Sequence, residues 1–377
     1  MGHNKGRRNL GVGLVRRVAC AGVLILGVVA FALPAAAVGA APSGHGATGR
    51  GAGLGSEEST VVAFATPPQL SSSPVRTLAC SVEATWSVPA SSVVSAQLEY
   101  SFRDSRGWRA PHSVSLAVTR ADGSGESRGR VTFPLAGTWR IRQSLTCDGG
   151  IISSSWVAVT VSAYRPAGRV KVVIFGDSLV GMPGATLKRL LKGTGASVTN
   201  DYKSSTGLSR PDFYDWPARV TAEKRRLRPD VVVMMFGAND WQNIRSGGHV
   251  YSRGTKAWDA AYEARIGRLM DIARTGHTVV YVVGQPIPGR SLGYARHMAH
   301  INRLAESEAR KRPDVRFVST WALFATPSGR YASSLRTSTG KLVRMRSGDK
   351  IHFTGAGAAR LAREIRRVIQ LDWRRFS

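Results

Sequence analysis

The sequence is short of acid. Its 377 residues carry 24 Asp and Glu against 53 Lys and Arg, a formal charge of +29. That balance points to a polyanion as neighbour: nucleic acid, an anionic membrane surface or an acidic polymer. A coding bias toward Ala, Gly and Arg accounts for the same excess, and both readings stand at this point. Cysteine is scarce too, with three in all: Cys20, Cys80 and Cys147. No Cys or acidic cluster offers itself as a metal site. No nucleic-acid recognition motif is found, so nucleic acid rests on net charge alone. Long apolar runs are missing after the first forty residues, so no later segment is expected to cross a membrane.

Those forty residues are different. Lys5, Arg7, Arg8, Arg16 and Arg17 precede the apolar stretch "VACAGVLILGVVAFALPAAAVGA", which ends in small residues. This is the layout of a secretory signal peptide over 1–40, with A-x-A-like sites near Ala37 and Ala40. The alternative is an uncleaved anchor, the one membrane contact expected. Export, to the medium or to a bacterial cell envelope, follows from either. In an exported chain the remaining pair, Cys80 and Cys147, reads as a disulfide.

Residues 41–75 are rich in Gly, Ala, Ser, Thr and Pro and read as a flexible tether. Over 76–163 the pattern is all-β. Cys80, Val82, Ala84, Trp86 and Val88 share one strand face; so do Trp139, Ile141, Leu145 and Cys147. Leu98, Tyr100 and Phe102 alternate likewise, and "ADGSG" at 121–125 is a hairpin signal. Short strands and one bridge between packed faces predict a small immunoglobulin-like sandwich, serving as a binding or spacing module.

From 168 to 377 the character changes. Apolar runs at 170–175, 196–199, 230–236, 278–284 and 315–319 alternate with helix-like segments at about 183–192, 217–227, 257–275, 293–311 and 355–371. Such alternation predicts a parallel sheet with helices on both faces. Ligands bind outside the carboxyl ends of such strands. Four stretches fall at those ends: Gly176-Asp177-Ser178-Leu179, "SSTGLSR" with Gly207, Gly237-Ala238-Asn239-Asp240, and "SGDKIHFTGAG" with Asp349 and His352. Acyl transfer through Ser178 needs a base to take the hydroxyl proton, and His352 suits it. A carboxylate must orient that base, and Asp349, three residues away, can reach its ring. The developing oxyanion needs donors. The amides of Ser178 and Gly207 and the Asn239 side chain supply three.

These four blocks, in the order Ser, Gly, Asn, His, resemble those of the SGNH hydrolases, also called GDSL esterases. "TGLSRPDFYDWP" and "GANDWQ" further resemble a poorly characterised, exported bacterial branch. The resemblance covers 168–377. It implies a flavodoxin-like three-layer α/β fold without cofactor, Ser178 as nucleophile, His352 as base, Asp349 as its orienter, and Gly207 and Asn239 in the oxyanion hole. The expected function is a serine esterase or O-acyltransferase acting on a small acyl group of an envelope glycan or related ester. The alternative is an assembly protein with little turnover that holds envelope glycan or another anionic polymer. Trp216, Trp241 and Trp258 are candidate substrate contacts near the strand ends. Asp177 reads as a structural cap. His297 and His300, at i,i+3 spacing, read as a solvated helix face. The run "EKRRLR", Glu223 to Arg228, is a solvated face or a contact for an anionic polymer.

Overall fold

The computed structural model describes residues 63–374 apart from 65–66, 77–78, 88–92, 122–123 and 149. The expected leader and the tether up to residue 62 lie outside the described residues. The last part of that tether is not loose. Ala63–Phe64 and Gln69–Leu70 both pair with the first long strand of the β unit.

The β unit is antiparallel throughout. Its main strands are β1 (Ala79–Ser87), β2 (Val93–Asp104), β3 (His112–Ala121), β4 (Ser124–Thr132), β5 (Gly137–Cys147) and β6 (Val157–Val161). Their order is β1-β4-β3-β2-β5-β6. Strand β3 is shared: its first half pairs with β2 and its second with β4. Hydrogen bonding therefore follows one folded path and does not separate into two sheets. The apolar alternation holds. Val82, Trp86, Leu98, Trp139, Ile141 and Leu145 are buried in one cluster, and Ala121 opposite Ser124 closes the expected hairpin.

The expected disulfide is not formed. Cys80 is buried on β1, opposite Val131 of β4. Cys147 is the half-buried last residue of β5, opposite Val93 and Gly150. The two lie on strands that are not hydrogen-bonded neighbours, at different depths. Sharing an apolar parity was not enough to bring their sulfurs together.

The α/β unit follows the predicted alternation closely. Strands β7 (Val170–Gly176), β8 (Ala196–Tyr202), β9 (Val231–Met235), β10 (Val279–Val283) and β11 (Val315–Val318) form a parallel sheet. The order β8-β7-β9-β10-β11 is 2-1-3-4-5, the flavodoxin-like winding. Helices α1 (Ser178–Leu190), α2 (Trp216–Leu227), α3 (Lys256–Arg274), α4 (Leu292–Arg310) and α5 (Gly355–Asp372) cover both faces. The central strands are apolar on both sides for that reason. Val172, Ile174, Val231 and Val233 face α1 and α5; Val173, Phe175, Val232 and Met234 face α2, α3 and α4. Helix α1 starts five residues before the sequence pattern suggests. Pro183 masks its beginning, but a proline within the first turns is compatible with a helix whose cap is Asp177.

The two units share one compact body, joined by arginines. Arg109 of the β unit is buried and donates through Nη1 to the carbonyls of Arg312 and Val315, both at 2.9 Å. It thereby ties the loop after α4 to the start of β11. Asp372, fully buried at the end of α5, accepts from Ala136 N (2.8 Å), Tyr281 Oη (2.8 Å) and Arg316 Nε and Nη2 (2.9 and 2.8 Å). Its backbone carbonyl accepts from Arg76 Nε at 3.1 Å. Burial alone would lower the Arg316 pKa, but Asp372 outweighs it and raises it. Removing one partner of a buried pair strands the other charge, at a cost of about 3–5 kcal/mol. Asp372→Ala is therefore expected to lower unfolding stability by about that amount. Urea denaturation reads it, and a change below about 1 kcal/mol would contradict the role given to this carboxylate.

Candidate active site

Strands β7 and β9 end side by side, where the winding reverses. Their backbones come so close that a Cβ on Gly176 would stand 2.4 Å from the Met235 carbonyl oxygen. Glycine permits this approach. Asp177 then caps α1, its Oδ1 accepting from Leu179 N at 2.9 Å. Ser178 is the first residue of the helix, where the dipole is positive.

The other two members of the expected triad come from the loop before α5. Ser178 Oγ lies 2.9 Å from His352 Nε2, and His352 Nδ1 lies 2.5 Å from Asp349 Oδ2. Partial desolvation would raise the Asp349 pKa. The His352 ring and the amides of Ile351 (2.9 Å) and His352 (3.0 Å) outweigh it and hold the carboxyl down to about 2. The carboxylate is thus ionised, so Nδ1 of His352 carries the proton that it donates to Asp349, and Nε2 is left to accept from Ser178. The loop is tied down by Arg346, which the sequence pattern did not single out. Arg346 is buried, lies over Phe324 and Phe353, and donates to the carbonyls of Ile351 (2.5 Å) and Ile287 (2.9 Å). Lys350, between the two triad residues, has a left-handed φ of 62°, a strained conformation that such packing can hold.

The oxyanion residues meet from two other loops. Asn239 Nδ2 donates to Thr206 O at 2.8 Å, which sets it against the Gly207 loop and uses one of its two N–H groups. The amides of Ser178 and Gly207 have no acceptor among the described residues. Behind them sits Asp240, fully buried. Its Oδ1 accepts from Ser209 N at 2.7 Å and its Oδ2 from Tyr262 Oη at 3.2 Å, while its own carbonyl meets His297 Nε2 at 3.0 Å. Asp177 and Asp240 are both pushed up by burial, Asp177 to about 7, and the Asp240 carboxylate adds to the cost of ionising Asp177. The Asp177 Oδ2 has no hydrogen-bond partner.

Three expectations change. Trp216 and Trp258 are core residues, 1% and 0% exposed, and cannot stack on a substrate. Their indole N–H groups are spent on Thr206 Oγ1 and Gln242 O, and so support the Gly207 and Asn239 loops from behind. Trp241 alone of the three is half-open, with Arg253 stacked 3.6 Å over its ring. His297 is buried against Asp240, not solvated, and His300 binds Asp259 at 2.6 Å. The two histidines face different partners.

The family model described as "Protein of unknown function (DUF459)" matches residues 171–368, more than half of the chain. No curated protein matches it. Among solved structures, an inferred acylhydrolase of Bacteroides fragilis is 16% identical, covering 55% of this chain and 89% of its own, with a TM-score of 0.40. A GDSL-like lipase of Bacteroides thetaiotaomicron is also 16% identical, over 53% and 87%, TM-score 0.37. The catalytic domain of peptidoglycan O-acetyltransferase A of Streptococcus pneumoniae is 14% identical, over 54% and 94%, TM-score 0.37.

Two outcomes test the geometry. A Cβ on Gly207 would lie 2.3 Å from Asp240 Oδ1, so Gly207→Ala must push the loop off its buried support. Turnover of an accepted ester is expected to fall roughly 10²–10³-fold, with far-UV circular dichroism unchanged; undiminished turnover would remove Gly207 from the site. Asp177 has a raised folded pKa. Its burial costs nothing below about pH 4 and progressively more as pH rises through about 7. Asp177→Asn keeps a capping oxygen, so it should raise the melting temperature at about pH 8 and hardly at all at about pH 4. Equal shifts at both would contradict the raised value.

Proposed function

We infer that this chain, which belongs to the DUF459 family and to the SGNH hydrolase superfamily by its four assembled blocks, is a serine esterase or O-acyltransferase. The observation that supports it best is the hydrogen-bonded chain Asp349–His352–Ser178, set beside two amides with no acceptor and an Asn side chain.

The chemistry follows from that arrangement. Ser178 Oγ attacks the ester carbonyl while His352 Nε2 takes its proton. The carbonyl oxygen becomes an oxyanion and is met by the N–H groups of Ser178, Gly207 and Asn239. Asp349 balances the imidazolium. Collapse breaks the bond to the alcohol, which leaves with the proton from His352, and the acyl group remains on Ser178. A second acceptor, water or a sugar hydroxyl, gives its proton to His352, takes the acyl group and frees Ser178. Hydrolysis and transfer differ only in that acceptor.

We read the substrate as a small acyl group on a cell-envelope glycan. The leader-like residues 1–40 put the chain outside the cytoplasm. The side chains of Asp349 and His352 are each 46% exposed, an open setting that suits a polymer more than a small molecule enclosed on all sides. The β unit then serves as a spacer holding the catalytic unit on that polymer.

A fluorophosphonate probe should label the wild-type chain and leave Ser178→Ala unlabelled. On acylated envelope fractions, wild type should release acyl groups or move them to a second glycan, and Ser178→Ala should be slower by about 10⁴-fold or more. An unlabelled wild type would end the serine-enzyme reading.

A further inference from the structure

Helices α2 and α3 do not close over each other completely. A cavity of about 790 Å³ opens between them, walled by Gly207, Tyr214, Tyr251, Arg265 and Arg268. A second, of about 640 Å³, is walled by Lys224, Arg225, Arg228 and His277. Thr221, Arg225 and Ile272 belong to both walls, so the two cavities form one trough along α2. The trough begins at an oxyanion-hole residue. It ends at the basic run Glu223–Arg228.

Its exposed guanidiniums are unpaired. Arg225, Arg228 and Arg268 are exposed, and among the described residues no carboxylate pairs with them and no side-chain hydrogen bond holds them. Arg265 donates only to neutral carbonyls, those of Leu208 (2.7 Å) and Arg245 (3.1 Å). Two acids also lie on the wall, Asp215, which caps α2 through Ala218 N, and Asp230, which accepts from Lys171 N, and the cations Lys224, Arg225, Arg228, Arg265 and Arg268 outnumber them. Elsewhere on α2 the cations are matched, since Arg219 and Arg226 both pair with Glu223 on the face turned away from the trough. Free guanidiniums face the trough, and paired ones face away from it.

We propose that this trough is a binding track for an acidic glycan, a sugar chain bearing carboxylate or phosphate groups, whose acylated unit is presented at Ser178. The proposal rests on the acyl-transfer reading of that serine. Guanidiniums bind both anions in bidentate geometry, and the half-buried rings of Tyr214 and Tyr251 offer faces to sugar rings. Helix α2, 12 residues long, gives the track about 18 Å, room for an oligomer and not only for a lone anion. A recess between two packed helices admits a single flexible chain but neither a duplex nor a bilayer surface.

The test uses the full chain carrying Ser178→Ala, so that bound glycan is not consumed. Calorimetric titration compares a polyuronate oligosaccharide and a poly(glycerol phosphate) with a neutral chitooligosaccharide, single-stranded DNA and anionic phospholipid vesicles. One or both acidic polymers should bind, and raising salt from about 50 to about 500 mM should weaken them at least about tenfold. Which of the two binds tells carboxylate from phosphate. Arg225→Gln/Arg268→Gln should lose at least about tenfold in affinity. The salt series stands independently if that double variant folds poorly. Equal binding of the neutral oligosaccharide, binding of DNA or vesicles alone, or full affinity in the folded double variant would overturn the proposal. Labelling of wild type by the fluorophosphonate probe reads the catalytic site separately. Loss of labelling with binding intact would end the enzyme reading and leave the track standing.

Discussion

The site depends on the buried carboxylate of Asp240. One oxygen anchors the loop that carries Gly207, the other is held by Tyr262 of α3, and the residue's carbonyl meets His297 of α4. Asn239, its neighbour, then reaches Thr206. Two loops that leave different strands are thereby locked to each other and to two helices. Preorganised donors work because they do not have to move when charge develops, and here the immobility comes from a group that never touches the reacting atoms. Asp177, on the far side of the same cluster, shows what this costs. Two carboxylates share a dry region, and both are driven toward the protonated form.

Much of this could be read from the chain. The β–α alternation named the parallel strands to within three residues, because a sheet covered on both faces needs continuous apolar runs. The four polar stretches at strand ends named Ser178, Gly207, Asn239, Asp349 and His352, and the structure brings the triad together while holding Asn239 against the Gly207 loop. What could not be read was depth. Trp216 and Trp258 sit near strand ends in the sequence but inside the core in space. Cys80 and Cys147 share an apolar parity, yet nothing in a one-dimensional pattern says whether two strands become neighbours. Arg346 gave no signal at all, since a buried arginine and a surface arginine look alike in a chain with so many.

That last point bears on the charge. The basic excess looked like a surface property, and part of it is not. Arg76, Arg109 and Arg346 are buried and spend their donors largely on backbone carbonyls. They work as clamps between loops and helix ends, a use to which a planar, permanently charged fork is suited. With those set aside, the trough beside α2 is one place where surface guanidiniums are unpaired.

The eighteen residues of α5 lie between two very different neighbours. The helix starts three residues after His352 and ends on Asp372, so a stiff rod of about 27 Å runs from the His352 loop to the joint with the β unit. Shuffling of domains works when a module can be cut away at a loose connector. Here the cut would pass through Arg76, Ala136, Arg109 and the end of the rod that begins beside His352. The β unit is therefore not cargo that descent could trade freely for another.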